Sequence, residues 1–246
     1  MTPPRAATAR ERARAELTRE IKEEARRQLA ATGADGLSLR AVARTLGMVS
    51  SALYRYYPGR DELLTALIID AYDALGEVAE RAISSAEGAG RTRWIAACRA
   101  IRDWARSNPH EYALIYGSPV PGYRAPEATI GPASRMPSAF LGVLAAAVAS
   151  GEIDGGAVGG SGSGACHRPA PLPLDGELAA QAESLAAALA PLEVPPDAIV
   201  RAVIAWTQLY GMISFELFGQ FVGSFDPSDA LFTHAVEQLA DFVGFR

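Results

Sequence analysis

The sequence predicts an all-α protein. Three observations lead there. Apolar residues recur at three- and four-residue spacing along most of the chain. The period-two alternation of half-buried strands is absent. Gly or Pro punctuates each periodic run near its end.

Each element has its own signal. Leu17, Ile21, Ala25 and Leu29 fall every four residues, so they share one face of a first helix, which Thr32-Gly33 stops. Ser38 caps a second helix through its hydroxyl, with Ala41, Val42, Ala43 and Leu46 as its apolar side and Gly47 as its end. A third short helix is expected over residues 49–57, closed by Pro58-Gly59. A longer one starts at about Arg60 and carries Leu64, Leu67, Ile68, Ala71, Leu75, Val78 and Ala82 at helical spacing. Residues 93–107 follow, with Trp94, Ala97, Cys98, Ile101 and Trp104. Five prolines between Asn108 and Pro132 keep any helix there short or broken. Helical patterning resumes over 134–150. Gly, Ser and Pro crowd residues 151–173, which reads as a mobile surface loop. Three further helices are expected over 178–192, 197–218 and 229–242. The chain is expected to divide near residue 60 into two domains, 1–60 and 61–246.

Composition narrows the classes. At 49% hydrophobic and 21% charged the chain is an ordinary globular one, not a disordered tract. No run approaches the ~18 consecutive apolar residues of a membrane span, so no membrane partner is expected. Arg and Glu alternate where the apolar stretch of a signal peptide would sit. Cys98 and Cys166 cannot build a disulfide framework, and a cytoplasmic location is expected. Cys166 stands beside His167 and Arg168, which raises the idea of a thiol sensor. His110, His167 and His234 are scattered, with no pair at metal-ligand spacing, and there is no phosphate-cradling loop after a strand. Neither catalysis, nor a metal site, nor a cofactor is expected.

Charge is unevenly placed. Residues 1–60 hold 12 Arg or Lys against 6 Asp or Glu (+6), and the remainder holds 11 against 22 (−11), for the net charge of −5. A basic end on an acidic chain is what contact with a polyanion requires. A solvated, internally salt-bridged helix is the competing account, because residues 10–27 interleave both signs.

Residues 36–57 decide between these accounts. Two short helices meet at a Gly-containing turn, the helix-turn-helix arrangement. At ~100° per residue, Val49, Leu53 and Tyr57 share an inward arc. Ser51 and Arg55 point the other way, flanked by Ser50 and Tyr54. That side holds small hydroxyls, a guanidinium and a phenol, and no acid, which suits entry into a major groove ~12 Å wide. Arg55 can read guanine through paired donors, and Ser50, Ser51, Tyr54 and Tyr56 can bond phosphates or bases. Ser38 and Arg40 at the start of the preceding helix complete the expected contact set, with Arg60, whose charge and nearby N–H groups can hold a phosphate.

The pattern Leu37-Ser38-Leu39-Arg40-x-Val42-Ala43-x-x-Leu46-Gly47-x-x-x-x-x-Leu53-Tyr54-x-Tyr56-Tyr57-x-x-Arg60-Asp61-Glu62-Leu63-Leu64 resembles the tetracycline-repressor (TetR) family of bacterial transcription regulators. The resemblance implies a three-helix, helix-turn-helix DNA-binding head over 1–60 and a larger all-α body over 61–246 that binds ligand and dimerises. By position it implies that Arg40, Ser50, Ser51, Tyr54, Tyr56 and Arg60 face DNA, with Leu53 and Tyr57 in the core. Two residues depart from the pattern: Gly59 stands where a capping Ser, Asn or Asp is frequent, and Arg60 replaces a frequent Lys. In the body, Trp206-x-x-x-Tyr210-Gly211 is similar to a Trp-x-x-x-His-Gly signature of one subgroup, with Tyr for His. Residues 108–117 are similar to that subgroup as well.

The implied mechanism is that of a repressor. Apolar faces on the last two helices (Ile199, Val203, Trp206, Tyr210, Ile213; Leu231, Phe232, Val236, Leu239, Phe242) would pack with a second copy as a four-helix bundle. The homodimer would then read a palindromic double-stranded DNA operator and release it when a small-molecule effector binds. Trp104, Tyr112, Tyr116, Trp206 and Tyr210 are the candidate effector contacts, since each joins apolar surface to a polar handle. Sequence alone leaves open a constitutive DNA-binding protein with no effector. No excess of charge marks the body as a site for an ionic ligand, although Glu216 is an acid in an otherwise apolar helix, for which a solvent-facing position is the plain alternative.

Overall fold

The computed structural model describes residues 8–153, 173–189 and 194–246. These residues form helices joined by turns, with no strand among them beyond an isolated bridge between Ile153 and Phe245. The loop expected over 151–173, with Cys166 and His167, lies almost wholly outside them. Contacts divide the chain into two compact units, one running to Tyr72 and adding Asn108–Ile130, the other made of Asp73–Ser107 and Gly131–Arg246.

In the first unit, α1 (Ala9–Thr32) opens with a reciprocal cap. The Thr8 hydroxyl accepts from the Glu11 N–H, and the Glu11 carboxylate accepts from the Thr8 N–H at 2.7 Å. Ile21, Ala25 and Leu29 are buried and Leu17 is half-buried, the expected stripe. Gly33 ends the helix at φ +71°, its N–H returning to the Leu29 carbonyl at 2.9 Å. α2 (Leu39–Thr45) starts where the Ser38 hydroxyl accepts from the Ala41 N–H. α3 (Ser50–Leu53) is a single turn that tightens over Tyr54–Tyr57, where the Arg55 and Tyr56 N–H groups reach back three residues, to Ala52 and Leu53. α4 (Arg60–Ser85) brings Leu63, Leu64, Leu67 and Ile68 onto the same core as Val42, Ala43, Leu53 and Tyr57. α5 is Gly90–Ser107. The first unit's last helix, α6 (Pro109–Tyr116), is short, as the prolines require, with Pro109 at a position that needs no N–H.

A half-buried ion cluster ties three of these helices. Asp70 on α4 accepts from Lys22 at 2.7 Å and from Arg26 at 2.6 Å, and Arg26 also reaches Glu111 on α6 at 2.8 Å.

The second unit is built from the rest of α4 with α5, α7 (Ile130–Ala149), α8 (Gly176–Leu189), α9 (Pro196–Leu217) and α10 (Asp229–Val243). α7 begins four residues before the expected 134, because Pro132 falls in its first turn, where no intrahelical N–H is needed; Pro137 lies inside it. Trp94 is buried between Phe140 and Phe245, with ring centroids at 4.6 and 5.5 Å. The segment 127–149 and α9 are long and apolar enough to cross a membrane by composition, yet α7 and α9 each bury a full apolar face within this unit, as core helices do.

The stripe expected for dimerisation on α9 belongs to this core instead. Ile199, Tyr210 and Ile213 are buried, and Val203 and Trp206 half-buried. What α9 exposes is a different edge, Ile204 and Phe215, with Phe218 just past its end, and α10 exposes Phe242 while burying Phe232 and Val236. Periodicity finds an apolar stripe but cannot say which of two stripes on an apolar helix faces inward.

Candidate nucleic-acid interface

The turn between α2 and α3 is fixed by backbone chemistry. Gly47 adopts φ +66°, its N–H donates to the Arg44 carbonyl, and the Met48 N–H donates to the Ala43 carbonyl at 2.8 Å. This double bond pattern needs a left-handed residue at its centre, which glycine supplies without steric cost. Met48 then packs on the core and aims the next turn.

Leu53 and Tyr57 are buried, and the phenol of Tyr57 is pushed above its ordinary range, first by burial and then by the charge of Asp70. Ser50, Ser51, Tyr54 and Arg55 are exposed, so the acid-free flank read from the sequence is open to solvent in this unit. Val49 departs from the reading. It is 70% exposed, not inward, because it precedes α3 with extended backbone (φ −69°, ψ 136°) and the helical projection does not apply to it.

The other expected contacts are placed unequally. Arg40 is exposed on α2. Ser38 is half-buried, its hydroxyl serving as the cap and its N–H donating to the Gln28 side chain at 3.2 Å. Tyr56 is half-buried, and the guanidinium of Arg14 lies over its ring, 5.4 Å from the centroid. Arg60 is tied inward: its Nη2 donates to the Ala34 carbonyl at 2.9 Å, with Asp61 at 3.5 Å. The carboxylate of Glu62 lies where a Cβ on Gly59 would come within 2.7 Å, so it faces the start of α4.

Ion pairing sorts the basic residues into two sets. Arg19, Lys22, Arg26, Arg27 and Arg60 all have acidic partners. Arg10, Arg12, Arg14, Arg40, Arg44 and Arg55 have none among the described residues. The reason is local. Glu11, three residues before Arg14, is taken by the Thr8 cap, and Glu16, four residues after Arg12, is taken by Arg19. The salt-bridged account therefore holds for the second half of α1 and fails for its first half and for α2–α3. Arg14 and Arg44 escaped the sequence reading. Arg44 was findable from its i,i+4 spacing to Arg40; Arg14 shows itself only through Tyr56.

The five aromatic residues expected at an effector site divide between the units. Tyr112 is buried in the first, with Tyr116 at 5.3 Å between centroids and Tyr72 edge-on to Tyr116 at 6.2 Å. Trp104 is buried in the second, as is Tyr210, whose ring meets that of Trp206 at 5.7 Å. The indole N–H of Trp206 is buried without a hydrogen-bond partner. Cys98 is fully buried, and burial drives its thiol far above the ordinary range, so it is no thiolate sensor. Cys166 lies outside the described residues. Glu216 is not solvent-facing: it is half-buried and paired with Arg102.

Known proteins match both halves. Residues 21–67 match the family of bacterial regulatory proteins of the tetR type, and residues 94–239 match the tetracyclin repressor-like C-terminal domain. The chain is 41% identical over 216 residues to the HTH-type transcriptional regulator Rv1816 of Mycobacterium tuberculosis and equally to Mb1846 of Mycobacterium bovis, covering 85% of this chain and 84% of each of those. The crystal structure of SCO4313 is 36% identical with a TM-score of 0.73, over 94% of this chain and 98% of that one. A Rhodococcus sp. RHA1 protein of unknown function shares the fold at 23% identity and a TM-score of 0.66.

Proposed function

The chain belongs to the TetR family and is a transcription regulator rather than an enzyme, and on that premise we propose that it is a one-component cytoplasmic repressor. Two copies bind a palindromic operator, and a small-molecule effector releases them. The observation that carries the reading is that Arg40, Arg44 and Arg55, and Arg14 over the Tyr56 ring, have no acidic partner among the described residues, while Ser50, Ser51 and Tyr54 are exposed. Uncompensated positive charge beside small polar groups is what phosphate contact and base reading both need. Residues 1–60 supply the reading head and 61–246 the effector and dimer functions.

Arg55, Ser50, Ser51 and Tyr54 act on base edges or adjacent phosphates in this reading. Arg40, Tyr56 and Arg60 set the register on the backbone, Arg60 by holding the α1–α2 turn at Ala34 as well as by its charge. The dimer forms through the exposed apolar residues Ile204 and Phe215 on α9, Phe218 just after it and Phe242 on α10, which a second copy would cover. Within the second unit, the unsatisfied indole N–H of Trp206, whose ring meets that of Tyr210, supports an effector that brings an acceptor to it.

The test is selection of bound sequences from a random duplex pool, followed by native mass measurement of the complex. A palindrome with two chains per site supports the reading. A single half-site bound by one chain, or no enrichment, contradicts it.

A further inference from the structure

The first unit holds a cleft that the aromatic set does not use. It measures about 230 Å³ and lies between the end of α1 with the turn after it, on one wall, and α6 with the segment after it, on the other. Leu29, Ala113, Leu114 and Val120 supply apolar surface, and Asp35 and His110 supply polar groups. A cavity of ~150 Å³ is filled by benzene, so this volume takes one ring and a short chain.

Asp35 is the acid among the residues lining the cleft, and it shares its charge with Arg60. Glu111 on α6 is engaged by Arg26 at 2.8 Å. The Arg60 guanidinium stands 3.9 Å from the Asp35 carboxylate, beyond hydrogen-bond distance, and spends its close contact on the Ala34 carbonyl. Asp35 is therefore a largely exposed carboxylate at a mostly apolar cleft, with no hydrogen-bonded counterion.

We propose that this cleft is a binding site for a small aromatic primary amine, its ring against Leu29, Ala113 and Val120 and its ammonium on Asp35. The site goes beyond the effector role given to the body. Its walls come from both matched regions, Leu29 and Asp35 from residues 21–67 and the α6 side from residues 94–239. An occupant touches the turn that also anchors Arg60.

Calorimetric titration of the full chain with 2-phenylethylamine tests this, with 2-phenylethanol and phenylacetate as neutral and anionic comparators. The amine binds and both comparators bind at least about tenfold more weakly, because the charged hydrogen bond is lost. Asp35→Asn weakens the amine by about the same factor, and Ala113→Leu, which fills the cleft, removes binding. Trp206→Phe leaves it unchanged. Should Ala113→Leu fail to fold, the exposed Asp35 still decides. No heat with the amine, equal binding of phenylacetate, an unaffected Asp35→Asn, or loss confined to Trp206→Phe each overturns the site.

Discussion

Arg102 on α5 and Glu216 on α9 meet as a two-bond pair, Nε to Oε2 and Nη2 to Oε1, both at 2.7 Å. The same guanidinium reaches Asp229 at 3.0 Å and Ser228 at 3.2 Å, and lies 4.6 Å from the ring of Phe232. One buried cation thereby joins the end of α9 to the start of α10. Removing it takes both close Arg102 hydrogen bonds from half-buried Glu216 and leaves it, as counterion, only the longer contact to Arg106 at 3.6 Å. Arg102→Ala is expected to cost about 3–5 kcal/mol in urea unfolding, whereas Arg102→Met with Glu216→Leu costs far less, since both charges leave together.

The same cluster sets an acid limit. Burial alone would raise the Glu216 carboxyl, but the Arg102 hydrogen bond and charge outweigh it and hold it below the usual range; Arg102 lowers Asp229 likewise. A carboxyl depressed in the folded state contributes stability above its unfolded value, and that stability disappears as pH falls through the folded one. Urea midpoints should therefore drop below about pH 4 in the native protein, and drop less in the Arg102→Met, Glu216→Leu variant. Equal acid sensitivity in both would contradict this.

Gly47 offers a backbone test. A Cβ there meets nothing within 4 Å, so only its φ of +66° penalises a side chain. Gly47→Ala is expected to lower stability by about 1–2 kcal/mol, and Gly47→Asn by less. Thermal unfolding of the three proteins measures it.

Much of this molecule is legible in its sequence, for identifiable reasons. Ser38, Gly33 and Gly47 act locally, through hydrogen bonds to residues three to five positions away, so their roles follow from spacing. The Leu53 and Tyr57 pair follows from helical period. Val49 misled because it sits just outside the helix whose period was applied to it. The dimer stripe misled because α9 is apolar on more than one side, and Glu216 because its partner is 114 residues away. Which arginines are free was equally hidden: it depends on which acids are already taken, and Glu11 is taken by a cap, not by a charge.

Arg14 and Tyr56 are expected to act as a unit. A double-mutant cycle of Arg14→Ala and Tyr56→Leu in urea unfolding should give a coupling of about 0.5–1 kcal/mol. Additive effects would remove Arg14 from that pair.

Cys98 should resist alkylation at pH 8 in a Cys166→Ser background until urea unfolds the protein, because the buried thiol is neither ionised nor reachable. Modification at the rate of a free thiol in the folded protein would show that the second unit opens around α5.

The most direct measurement is the salt dependence of binding to a labelled duplex from upstream of the chain's own gene, followed by fluorescence anisotropy. Affinity should fall log-linearly with salt. Arg40→Ala and Arg44→Ala should each reduce the slope by about one, and Arg55→Ala should bring specific and random duplexes closer together. No binding at about 50 mM salt, or a slope unchanged when Arg40 and Arg44 are removed, would contradict the assignment of this surface to DNA.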